Sequence, residues 1–97
     1  MGGKIYVTGG NTLANQGSAV NSVCVYDPQT DAWTQLASMG TARRDHASAA
    51  VCGKLCVFGG EDDERLSAAE IYDPTSDSWA QASSLTSERS SVVAVAL

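Results

Sequence analysis

Residues 3–10 read GKIYVTGG, and residues 53–60 read GKLCVFGG, the same pattern 50 positions later. Downstream, residues 25–39 read VYDPQTDAWTQLASM and residues 71–85 read IYDPTSDSWAQASSL, now 46 positions apart, with Arg43 recurring as Arg89 at that spacing. Self-similarity of this kind makes the unit of structure a repeat rather than the whole chain. The spacing shrinks by four between the Gly-Gly pair and the Tyr-Asp-Pro, so that interval is a loop tolerant of length.

Within each unit the apolar runs are short, rich in β-branched and aromatic residues, and bounded by Gly, Pro, Asp and Ser. That pattern reads as strands, and none of the runs is long enough for a helix. The complete central unit predicts strands at 47–51, 55–58, 69–72 and 78–81. Four antiparallel strands in a unit of this length make one blade of a β-propeller. The expected fold is therefore all-β, a partial propeller of two blade-equivalents. Residues 1–42 supply strands two to four of one blade, residues 43–88 a complete blade, and residues 89–97 the first strand of a third. An incomplete stack leaves blade faces open, so the chain is expected to be a piece of a longer propeller or a unit that assembles with identical copies.

The repeated residues have physical roles. Gly53-Lys54 is expected to be a two-residue hairpin link with Gly53 at positive φ. Gly9-Gly10 and Gly59-Gly60 end the second strand of each unit, where side chains would block close backbone approach. Asp27 and Asp73 follow the strand tyrosines Tyr26 and Tyr72 and can accept hydrogen bonds from nearby backbone N–H groups, while Pro28 and Pro74 preset φ for the turn. Trp33 and Trp79 open the outer strand, where a large ring covers the blade edge and the neighbouring blade.

The Gly-Gly pair, the Tyr-Asp-Pro, the Trp, then Met39 and Arg43, in order and twice, resemble the kelch repeat over nearly the whole chain. The set looks most like the kelch domains of cullin-ligase substrate adaptors that carry a BTB domain. Cys56 stands where the first unit has Tyr6, and Leu85 where it has Met39, two departures from the fuller pattern. The resemblance implies a protein-interaction module whose inter-strand loops meet a protein or peptide ligand, for substrate recognition by a cullin ubiquitin ligase. The cullin would be reached through a BTB or F-box region not in this sequence. In such adaptors the arginine four residues after the Met, here Arg43 and by position Arg89, contacts acidic degrons. A serine four residues before the strand tyrosine contributes, which matches Ser22 and meets Ala68 in the second unit. Other kelch propellers resemble copper oxidases or sialic-acid isomerases, or serve as architectural or actin-associated scaffolds, and these are the alternatives.

Successive connections in an antiparallel meander alternate between the two ends of a blade. One end receives the Gly53-Lys54 link and the Asp-Pro turns. The other receives the loops after Gly10 and Gly60 and the segments with Arg43, Arg44 and Arg89. The length difference falls at this second end, which is the expected binding face. Asn11, Asn15, Gln16, Asn21 and Ser22 line one of its loops, and Glu61, Asp62, Asp63, Glu64 and Arg65 the next. The acidic run reads as a solvated loop, since calcium ligation there would need a turn glycine that it lacks. A structural role for Arg43 and Arg89, pairing with a carboxylate or carbonyl between blades, is the competing expectation.

A net charge of -5 with only six Lys and Arg argues against nucleic acid or an anionic membrane surface as partner. No apolar run approaches the roughly 20 residues of a membrane span, and residues 1–4 lack the apolar core of a signal peptide. The odd cysteine count, Cys24, Cys52 and Cys56, fits free thiols acting as small core residues in a reducing, cytoplasmic setting. His46 is the single histidine, so the chain cannot by itself build a His-based metal cluster or catalytic triad. The Gly-Gly pairs lack the Gly-Lys-Ser/Thr of a phosphate loop. No cofactor, metal or catalytic group is expected, and the chain reads as a binding module rather than an enzyme.

Overall fold

The computed structural model describes residues 3–11 and 18–87, and every regular element within them is a β-strand. Strands β1 (Ile5–Thr8), β2 (Val23–Asp27) and β3 (Ala32–Leu36) form an antiparallel sheet in that order. The second sheet contains β4 (Ala47–Val51) and β5 (Lys54–Phe58), followed, after the two-residue strands β6 (Glu61–Asp62) and β7 (Glu64–Arg65), by β8 (Ala69–Asp73) and β9 (Ser78–Ala82). Its order is β4-β5-β8-β9, with β6 and β7 pairing separately within the loop. The four strands expected of the central unit are all present, each within a residue of its expected bounds. The strand expected after residue 88 lies outside the described residues.

The two units share one register. Ile5 pairs with Tyr26 and Tyr26 with Trp33, as Leu55 pairs with Tyr72 and Tyr72 with Trp79. Because side chains alternate along a strand, residues paired across strands share a face. Val23 and Val25 face the second sheet, and Leu55, Val57, Glu70 and Tyr72 face back. The core lies between the sheets: Val23, Met39 and Val57 are buried together, flanked by Leu36 and Trp79. Each such side chain contributes about 1.5–3 kcal/mol by leaving water, which makes the inter-sheet contact the main stabilising feature.

The turn between β4 and β5 departs from expectation. Val51 pairs with Lys54, so the link is Cys52-Gly53, one residue earlier than Gly53-Lys54. Both link residues have positive φ, 51° and 75°, the backbone that a type I′ turn demands. A slip by one residue would turn every β4 side chain to the opposite face relative to β5, so the pleat selects this register. Cys52 is consequently exposed at the turn rather than in the core, while Cys24 and Cys56 are half-buried, and all three thiols are free.

At the same end, the Asp-Pro turns are built twice from the same bonds. Asp27 Oδ1 accepts from Gln29 N and Asp73 Oδ1 from Thr75 N, each at 2.9 Å. Asp31 Oδ1 accepts from Tyr26 OH at 2.6 Å, and Asp77 Oδ1 from Tyr72 OH at 2.8 Å. Tyr26 stacks obliquely on Trp33 with centroids 5.0 Å apart, and Tyr72 on Trp79 at 5.1 Å.

Candidate partner-binding face

The strand directions bring the segments after β1, after β3 and after β5 to the end opposite the Asp-Pro turns. These segments are held by main-chain bonds that repeat from one unit to the next. Gly9 N donates to Ser22 O at 2.9 Å and Gly59 N to Ala68 O at 3.0 Å. Val20 N donates to Gly10 O and Leu66 N to Gly60 O, at 2.9 and 2.8 Å. Met39 N donates to Asn21 O and Leu85 N to Ser67 O, at 2.9 and 2.7 Å. Loops that differ by four residues therefore spring from a common frame. The glycines permit it: a Cβ on Gly9 would collide with the Arg43 carbonyl, and one on Gly60 with the Arg44 carbonyl.

Arg43 is not at this surface. It is 0% exposed, its guanidinium donating from Nη2 to Glu70 Oε2 at 2.8 Å and from Nη1 to the carbonyls of Gly59 and Ala68 at 3.0 and 2.9 Å. Glu70 also accepts from Gly40 N at 2.6 Å and Thr41 N at 3.2 Å. The expectation that Arg43 meets an acidic partner is thereby corrected. A buried charge is tolerated only when paired and hydrogen bonded, and the chain supplies both from within. Arg43 acts as a clasp between the first unit's exit segment and the second sheet. Arg89, its counterpart by position, lies outside the described residues, as do Asn15 and Gln16.

The other expected contact residues are at or near the surface. Arg44 is half-buried with Nε 3.4 Å from Glu61 Oε1, and the two residues also exchange backbone bonds at 3.1 and 2.9 Å. Asn11 and Asn21 are exposed, and Asn21 Nδ2 donates to Met39 O at 3.3 Å. Ser22 is half-buried. The acidic run is folded into the β6–β7 pair, closed by Asp63 at a φ of 66°. Asp63, Glu64 and Arg65 are exposed and Asp45 beside them, so the described part of this end is predominantly acidic.

Three further contacts join the units, of which the sequence pointed only to the covering of a neighbouring blade by Trp79. Trp79 Nε1 donates to Ala37 O at 2.8 Å, and Ala37 N donates to Asp77 Oδ1 at 3.0 Å, so one indole and one carboxylate grip both backbone polar groups of the residue that follows the neighbouring strand. These hydrogen bonds hold the Asp77 carboxyl below its ordinary range, first through the Ala37 N–H and then through Tyr72. Tyr72 is pushed up to about 12, chiefly by burial and then by its bond to Asp77. His46 Nε2 lies 2.7 Å from Thr8 Oγ1, joining the entry to β4 with the end of β1, while its Nδ1 is buried without a partner. Burial, followed by the nearby Arg43 charge, lowers the His46 pKa. The repeated Asp31 and Asp77 were a signal for one of these contacts. Glu70 gave none, because its counterpart is Cys24.

Among the described residues no group of three His, Cys, Asp or Glu is placed to hold a metal ion. What the described part of this end offers is hydrogen-bonding and charged side chains on a braced main chain.

Consecutive antiparallel sheets in one register, packed face to face, define neighbouring blades of a β-propeller built from sequence repeats. The kelch motif model matches residues 1–40 and 42–86, and the chain belongs to the kelch-repeat family. It is 42% identical over 62 residues to Kelch-like protein 15 of Danio rerio, a match covering 60% of this chain and 10% of that protein. It is 38% identical over 69 residues to Kelch repeat and BTB domain-containing protein 1 of Ectromelia virus (strain Moscow), covering 70% of this chain and 12% of that one. The chain thus spans about a tenth of the length of these relatives. Among solved structures, YjhT superposes with a TM-score of 0.76 over 87% of this chain and 35% of that chain, at 20% identity, a likeness of fold.

Proposed function

We propose that this chain is part of a kelch propeller that displays the loops at one end to a protein ligand, without catalysing a reaction. The supporting observation is that loops of unequal length rise from identical main-chain frames at Gly9 and Gly59, leaving Asn11, Asn21 and the β6–β7 turn exposed above them. A scaffold that keeps its framework constant while its loops vary is suited to selective binding. In the finer form of this reading the propeller is a cytoplasmic substrate receptor for a cullin ubiquitin ligase, coupled through a BTB or F-box region. The name of the viral relative, which joins kelch repeats to a BTB domain, supports that form. Capture of an acidic degron through Arg43 has no part in it, because that side chain is internal.

The test compares the two ends of the blades in the intact protein. Asn11→Arg with Asn21→Arg alters the loop end, and Gln29→Arg with Thr75→Arg alters the turn end, all at exposed positions. Quantitative affinity purification should lose the bound protein in the first pair and keep it in the second. The reverse pattern would move the binding face to the turns, and no change in either pair would remove these blades from recognition.

A further inference from the structure

We infer that the Arg43-Arg44 dipeptide yokes the two loops of the candidate binding face, so that a change in either loop is transmitted to the other across the boundary between the units. The dipeptide lies between the loops like a short piece of middle strand. Successive strand residues point their backbone polar groups to opposite sides, and here each side meets a different loop. Arg43 N donates to Val20 O at 3.1 Å and Arg43 O accepts from Gly10 N at 2.8 Å, both in the loop after β1. Arg44 N donates to Glu61 O at 3.1 Å and Arg44 O accepts from Glu61 N at 2.9 Å, in the loop after β5. Beyond these pairs Asn11 bridges to Ala19 on one side, and Glu61 pairs with Arg65 on the other. Main-chain bonding thus runs from pair to pair between Ala19 and Arg65, crossing from the first unit to the second.

The side chains reinforce this arrangement. The Arg43 guanidinium donates to the carbonyls of Gly59 and Ala68, the two residues whose mutual bond roots the second loop, while its backbone holds the first. Arg44 Nε lies 3.4 Å from the carboxylate of Glu61, the residue that its backbone already holds. Gly9 and Gly60 keep the dipeptide this close, because a Cβ on either would collide with one of its carbonyls. The apolar core joins the sheets through their faces, whereas these bonds join the loops themselves. A contact that orders one loop therefore leaves less freedom to be lost in the other, and a ligand meets the two as one surface. That consequence rests on the proposed reading of this end as the binding face; the coupling itself does not.

Hydrogen exchange in the intact protein, read by mass spectrometry with fragmentation, measures the coupling without a ligand. Glu61→Pro deletes the N–H that donates to Arg44 O in the second loop. It should speed exchange at Gly10 and Val20, in the first loop, at least about tenfold, with β2 and β3 unchanged. Coupling free energies are reciprocal. Val20→Pro, which deletes the donor to Gly10 O, should therefore speed Glu61 and Leu66 in the second loop to a similar degree. Where one proline raises exchange throughout its own sheet, the other variant gives the reading. Acceleration confined in each variant to its own loop would overturn the proposal, since the dipeptide would then be a passive spacer. Such a result leaves the binding reading standing, and an unchanged partner in the loop-end variants with coupling intact would remove the binding reading alone.

Discussion

Arg43 is the residue whose sequence and structure readings diverge most. Its recurrence 46 positions on gave no way to choose between a partner's carboxylate and one inside the fold. The choice is made by Glu70, distant in sequence and brought opposite by the packing of the sheets. The two partners are not equivalent. Glu70→Gln leaves a buried guanidinium without its counter-charge and should cost about 3–5 kcal/mol in urea denaturation. Arg43→Met should cost less, about 1–3 kcal/mol, since Glu70 keeps the N–H groups of Gly40 and Thr41. A partner-binding arginine would show the opposite, loss of binding with little loss of stability. His46 adds a pH dependence. Its pKa is depressed in the native state, so between that value and the ordinary 6.5 the unfolded chain holds a proton that the folded chain does not. Stability is full above about pH 6.5 and falls on acidification until the native imidazole protonates. His46→Gln should flatten this part of the profile of denaturation midpoint against pH.

At the scale of elements, strand number, order and approximate bounds were legible because period-two apolar runs between Gly, Asp and Pro leave few alternatives. The position of the β4–β5 turn was not. Gly53 is compatible with either place in a two-residue link, and only the pairing of Val51 with Lys54 decides that Cys52 shares the turn. The Gly-Gly pairs likewise read as a unit, yet their members differ in what a methyl group would meet. Gly10 has a φ of 98° with open space around its missing Cβ, while Gly60, at 89°, lies against the backbone carbonyl of Arg44. Gly10→Ala should therefore cost about 1 kcal/mol, from backbone strain alone. Gly60→Ala should cost more than about 2 kcal/mol, because strain and collision add and the colliding atom belongs to the main chain. Thermal melts of the two variants side by side would show this order.

For the whole molecule, the two tryptophans report how the units are stacked. Their own sheets treat them alike, each ring resting on a tyrosine in the same register. The neighbouring unit does not: Trp79 donates to Ala37 O, and Trp33 is exposed. Trp79→Phe, which keeps a ring and deletes the N–H donor, should cost about 1 kcal/mol, and Trp33→Phe should stay within about 0.5 kcal/mol. Equal losses in denaturation would mean that the inter-unit bond contributes nothing to the stack. That this chain holds a pair of kelch units could be read from its residues, since a repeated pattern of strand and turn residues is a local property that each unit spells out alone. The same pattern also placed the loops at one end, because antiparallel order leaves no freedom there. The tertiary structure alone decided which polar residues face inward. The pairing of Arg43 with Glu70 and the double grip on Ala37 join residues 27 to 42 positions apart. Whether a charge is offered to a partner or consumed by the fold depends on what lies across such a gap, and residue spacing does not carry that information.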